Sequence, residues 1–122
     1  PEPGRFELRV MDGSANPYLL QAGILAAGID GIEKKRDPGQ PLFVNMYTDS
    51  NNYPNIKKLP SDLENAIEHL SRNEILLTAF GEKVITSYIK LKEQELKDFN
   101  SKETFSKKDS ITSWEKLNTL DC

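Results

Sequence analysis

Cysteine is nearly missing from this chain, with one thiol in 122 residues, Cys122 at the last position. A lone terminal thiol closes no disulfide within the chain, which fits a reducing compartment, and it makes thiol chemistry an unpromising reading. Histidine is equally scarce: His69 is the only one, set between Glu68 and Leu70 on a helical stretch. With no second histidine to share a metal, its setting predicts a surface or half-buried structural role. Long apolar runs are absent too. The largest, Tyr18 to Ile32, is broken by Gln21, Asp30 and the glycines at 23, 28 and 31, too short and too polar to cross a bilayer. Pro1-Glu2-Pro3-Gly4 lacks the basic and apolar regions of a secretory signal, so the expectation is a cytoplasmic protein without membrane association. A formal charge of -3 offers no general attraction to nucleic acid, and acidic residues are interspersed with most of the basic clusters, such as Lys34-Lys35-Arg36. There is no glycine-rich phosphate loop, cysteine pair or nucleophile triad.

What is present is one modest domain's worth of chain, 37% hydrophobic and 29% charged, so its core is expected to be small. Its most informative stretch is Arg5 to Met11. Arg5, Glu7 and Arg9 alternate with Phe6, Leu8 and Val10, the period of a strand with one charged and one apolar face. At about 3.3 Å per residue the two guanidinium groups stand roughly 13 Å apart with a carboxylate between them. That spacing suits an extended polyanion held together with a cation. On pattern alone, the same three residues also read as an ion-pair ladder on a solvent-facing strand.

Downstream, Asp12-Gly13-Ser14 reads as a turn, and Asn16-Pro17 opens a helix: asparagine caps the free N–H groups and proline fits the first helical position. Leu19, Leu20, Gly23, Ile24, Ala27 and Gly28 recur at helical spacing, which predicts a tightly packed, buried helix that holds the preceding strand. Asp12 and Asp30 are expected to serve turn and helix-end hydrogen bonds. Lys34 to Leu59 reads as a loop with a short strand at Leu42 to Met46. The next element is a helix with Ser61 and Glu64 as a capping box and an apolar stripe of Leu63, Ala66, Ile67 and Leu70. An apolar stretch from Ile75 ends at Gly81, and a long amphipathic helix then carries Val84, Ile85, Tyr88, Ile89, Lys92, Leu96 and Phe99 on one stripe. Asn100 to Lys108 reads as a loose polar tail, and Ser110 to Leu120 as a last short helix anchored by Trp114.

Three of these pieces, in order and contiguous, carry a resemblance: Arg5-Phe6-Glu7-Leu8-Arg9, then Ala15-Asn16-Pro17-Tyr18-Leu19, then Ala27-Gly28-Ile29-Asp30-Gly31-Ile32. Together with Leu59-Pro60-Ser61-Asp62-Leu63 and the helix after Phe80-Gly81, they resemble glutamine synthetase. The resemblance implies an α+β fold, with residues 1–122 as the C-terminal part of the catalytic domain, one or two strands with mostly α-helices. It also implies an ATP-dependent carbon–nitrogen ligase that phosphorylates glutamate and lets ammonia displace phosphate, with Mg2+ or Mn2+, in a homo-oligomeric ring. Carried over to this sequence, Glu7 becomes a ligand of the metal on the ATP phosphates. Arg5 becomes a contact to nucleotide phosphate, and Arg9 a contact to the substrate carboxylate and the transferring phosphoryl group.

The other motifs that such a site requires are not in these 122 residues, so the chain is expected to be a fragment without activity of its own. Two further readings stay open. One is a relative that joins glutamate to methylamine or a polyamine; the other is a truncated, non-catalytic assembly module that docks through the long helix from Glu82 to Asn100.

Overall fold

The computed structural model describes residues 3–102 and 111–119. The terminal Cys122 and most of the predicted polar tail, 103–108, lie outside the described residues. Among the described residues six α-helices run in chain order: α1 Pro17–Glu33, α2 Met46–Asp49, α3 Leu63–Ser71, α4 Glu74–Phe80, α5 Glu82–Lys102 and α6 Ser113–Asn118.

Local chemistry accounts for the helix ends. At α1 the Asn16 side chain accepts from the N–H groups of Tyr18 and Leu19, both at 3.0 Å, and Pro17 occupies the first turn. Its far end closes as the Arg36 N–H donates to the Gly31 carbonyl and the Lys35 N–H to that of Ile32, with Lys35 in the left-handed region at φ 48. That is the six-to-one and five-to-two pair of a Schellman end, built here on a lysine where glycine is the usual residue. Gly81, at φ 83, separates α4 from α5 in a conformation that an L side chain resists. α3 starts one residue later than the predicted capping box: Asp62 is the cap, accepting from the Asn65 N–H at 2.8 Å, and the Ser61 hydroxyl donates to Asp62. A carboxylate is the stronger acceptor, so it takes the role expected of serine. The predicted terminal helix forms as α6, with a reciprocal capping box between Thr112 and Glu115, and Trp114 meets Phe99 of α5 edge to face at 5.6 Å.

α3 packs along α5, and α4 bridges α1 and α5. Leu19 and Leu20 of α1, Leu70 of α3, Leu76 and Phe80 of α4, and Ile85 and Tyr88 of α5 line one apolar cleft where these helices meet. Ile85 is the buried apolar side chain among the described residues. Gly23 is where α1 approaches α4, since a Cβ there would lie 3.9 Å from a Leu76 methyl.

Two expectations are overturned. The α+β class fails, because no strand forms among the described residues. Residues 5–10 run without regular structure and are exposed throughout, while Leu42–Met46 gives way to α2, whose cap, Asn45, accepts from the Tyr47 N–H at 3.0 Å. A strand is defined by its ladder, and alternation alone supplies no partner for the N–H and C=O groups of an isolated segment. The second correction concerns α1. Its small residues do not make it a buried helix: Leu25, Ile29 and Ile32 are exposed, and a Cβ at Gly28 or Gly31 would meet open space. Close packing needs a facing element, and of the glycines in α1 Gly23 alone has one, a Leu76 methyl of α4.

Candidate functional site

The charged segment stands immediately before α1, and a short turn fixes the join. The Ser14 hydroxyl and backbone N–H both donate to Asp12 Oδ1, at 2.6 and 2.7 Å, and the Ala15 N–H donates to the Asp12 carbonyl. These bonds hold the Asp12 carboxyl below its ordinary pKa, the Ser14 hydroxyl first and its N–H second. From Asp12 to the Asn16 cap the chain direction is therefore set by consecutive local bonds.

On the segment itself, Arg9 Nε donates to Glu7 Oε1 at 2.6 Å, with the side chains 82% and 60% exposed. Residues two apart meet this way only on the same side of an extended backbone, so the predicted sharing of a face by Glu7 and Arg9 is present without a sheet. Arg5 is exposed two positions before Glu7 and makes no ion pair among the described residues. The structure thus brings Glu7 and Arg9 together and leaves Arg5 open on the same segment. Exposed pairs of this kind contribute little to stability, about 0 to 1 kcal/mol, so folding alone gives weak reason for the arrangement.

As a metal donor the set is incomplete. Glu7 presents a hard carboxylate with one oxygen engaged by Arg9, and the described residues contain no group of three or more His, Cys, Asp or Glu able to hold a metal ion. Magnesium wants six oxygens, so the described residues can supply a ligand and not a site. His69 is exposed in the last turn of α3, the surface position that its surroundings in the sequence predict.

The strongest electrostatic feature lies elsewhere, at the C-terminal end of α1. Asp30 is 9% exposed, Lys34 Nζ reaches its Oδ1 at 2.6 Å and Arg36 Nε its Oδ2 at 2.7 Å. Hydrogen bonds from Lys34 and then Arg36 hold its pKa below the ordinary carboxylate range. Sequence reasoning places Asp30 at a helix end but misses the double pairing. The signal was the i, i+4 spacing of Asp30 and Lys34; Arg36 arrives only through the Schellman end.

An exposed Arg–Glu pair beside a capped, small-residue helix is the geometry against which relatives can be compared. The catalytic domain of glutamine synthetase matches residues 1–110. The chain belongs to the glutamine synthetase catalytic-domain family. It is 42% identical over 121 residues to the glutamine synthetase of Rhizobium meliloti (strain 1021), covering 99% of this chain and 26% of that protein. It is 39% identical over 95 residues to the glutamate–methylamine ligase of Methyloversatilis universalis, covering 75% of this chain and 21% of that one. A solved structure described as a GmaS/ADP complex superposes with a TM-score of 0.72 at 40% identity, covering 94% of this chain and 24% of its own. The chain therefore spans about a quarter of the length of these family members. Among the described residues, no helix is long and apolar enough to cross a membrane.

Proposed function

We propose that this chain is the C-terminal portion of the catalytic domain of an ATP-dependent carbon–nitrogen ligase that makes glutamine from glutamate and ammonia. Family membership supports the class, and the observation that carries the site is the solvent-open pairing of Arg9 with Glu7 on one side of the segment before α1. In the reaction, a γ-carboxylate oxygen of glutamate attacks the terminal phosphorus of ATP and ADP leaves. Ammonia then attacks the acyl carbon, the bond to phosphate breaks, and the amine sheds a proton. Both steps concentrate negative charge, so guanidinium donors and correct placement carry much of the rate. Arg5 binds nucleotide phosphate, and Arg9 donates its parallel N–H groups to the substrate carboxylate and the moving phosphoryl group. Glu7 gives one oxygen to a divalent cation, Mg2+ or Mn2+, which when bound neutralises phosphate charge; the other ligands come from outside this chain. The complete enzyme is a cytoplasmic homo-oligomeric ring.

The test is Arg9→Lys in the complete protein. Lysine keeps the charge and loses the fork, so turnover should fall by about 10²-fold or more. The unfolding midpoint should hardly move, because both side chains are exposed. Turnover within a factor of two of the parent would remove Arg9 from the mechanism.

A second reading, joining glutamate to methylamine, is favoured by the likeness to the glutamate–methylamine ligase and to the GmaS/ADP complex. Side-by-side kcat/KM values for ammonia and methylamine with the complete protein separate the two.

A further inference from the structure

Aspartate followed by glycine occurs twice in this chain, at Asp12-Gly13 and at Asp30-Gly31. In this dipeptide a backbone nitrogen can most readily attack the preceding side chain, because glycine puts no Cβ in the way. The fold treats the two copies oppositely. Asp30 and Gly31 lie inside α1, where the Gly31 N–H belongs to the helical ladder. Asp30 is 9% exposed, with Lys34 on one carboxyl oxygen and Arg36 on the other. For its carboxyl carbon to meet the Gly31 nitrogen, two ion pairs and a turn of helix have to open first.

Asp12 and Gly13 stand in the exposed turn before α1. Among the described residues the Gly13 N–H donates no hydrogen bond, and a Cβ at Gly13 would meet open space, so neither a bond nor a neighbour guards that nitrogen. The Asp12 side chain is already folded back over the Gly13 peptide, since its Oδ1 accepts from the N–H and the hydroxyl of Ser14, at 2.7 and 2.6 Å. These bonds favour the ionised carboxylate, which is the slow-reacting form. The bonds to Asp30 do the same, so ionisation does not distinguish the two sites and backbone freedom does.

We propose that Asp12-Gly13 is a site of spontaneous covalent modification, at which Asp12 isomerises to isoaspartate while Asp30 stays intact. In the protonated minority of Asp12 side chains, the Gly13 nitrogen attacks Cγ. The N–Cγ bond forms, the Cγ–OH bond breaks, and one water leaves, made of that hydroxyl and the amide proton. A solvent water then opens the cyclic imide. Attack at the main-chain carbonyl carbon of Asp12 breaks its bond to nitrogen and gives isoaspartate; attack at Cγ restores aspartate. Mass is unchanged, but the main chain now runs through Cβ and Cγ, one carbon longer, and the former peptide carbonyl is a free carboxylate. The Ala15 N–H loses the peptide carbonyl it donates to, and Ser14 loses the side-chain carboxyl that holds it. The join that sets the direction of residues 5–11 relative to α1 is thereby undone. None of this depends on the roles proposed for Arg5, Glu7 and Arg9.

The test ages the full chain in mildly acidic buffer at physiological temperature. Trypsin releases residues 10–34 as one peptide holding both sites, and a protease that cuts before aspartate but not before isoaspartate then reads each of them. Resistance at the bond before Asp12 should grow at least about tenfold faster than at the bond before Asp30, which the helix protects from opening. In guanidinium chloride, where no fold guards either site, the two rates should agree within about threefold. Gly13→Val, at a position with room for the side chain, should slow the conversion of Asp12 by about tenfold, because the branched Cβ crowds the attacking nitrogen. Equal rates at the two sites in the folded chain overturn the proposal, as does a rate at Asp12 that rises more than about tenfold on unfolding. An unchanged rate in Gly13→Val overturns the route through the imide.

Discussion

At the scale of single residues, Asp30 does the most to hold the end of α1 against the backbone that leaves it. Both of its oxygens are engaged, and the two cations come from either side of Lys35, the residue that turns left-handed. Its pKa is lowered in the fold, so the stabilisation is present above the ordinary aspartate value of about 4 and is lost as pH falls below it. Asp62 and Glu115 are lowered as well and act in the same direction. Amide exchange at Arg36 should therefore accelerate as pH drops from 5 toward 2, after correction for the intrinsic rate. In Asp30→Asn it should already be fast at neutral pH and change less on acidification. Equal pH profiles for the two proteins would show that the pairing does not hold this end.

At the scale of elements, the helix entries are autonomous. Asn16→Ala removes the acceptor for the Tyr18 and Leu19 amides, and such caps are worth about 1 kcal/mol, so exchange at those two amides should rise roughly fivefold while α5 is unaffected. Unchanged rates would mean that packing against α4, and not the cap, sets where α1 begins. This autonomy is also why so much of the helical layout was legible in the sequence. Asn16-Pro17 and Gly81 each act through neighbours within a few residues, and the structure uses them as read. The strands were not legible, because alternation in Arg5 to Met11 and the apolar run at Leu42 to Met46 say what a strand would look like and nothing about who pairs with it. At Leu42 to Met46 the chain stays irregular as far as Asn45, whose side chain caps the helical turn that begins at Met46. Burial of α1 failed for a related reason: small residues permit close approach, but only a facing element makes it happen. Of the candidate site, the shared side of Glu7 and Arg9 was legible from period two alone. The second cation on Asp30 was not, since it depends on the backbone path after the helix.

At the scale of the whole molecule, the proposed function makes the described residues pieces of a site rather than a site. On the proposed reading Glu7 is one ligand where a divalent ion needs several, and among the described residues Ile85, at 6% exposure, is the apolar side chain that packing buries. An isotope assay on the chain by itself should accordingly find no ATP-dependent conversion of glutamate to glutamine; measurable product would mean that these 122 residues complete a catalytic centre unaided. The placement of Trp114 against the edge of Phe99 has a practical consequence of a different kind. It is the chain's sole indole, so ultraviolet emission from an unlabelled sample comes through one window, at the contact between the last helix and the longest one. A red shift in that light on mild heating would time the parting of α6 from α5 without any added probe.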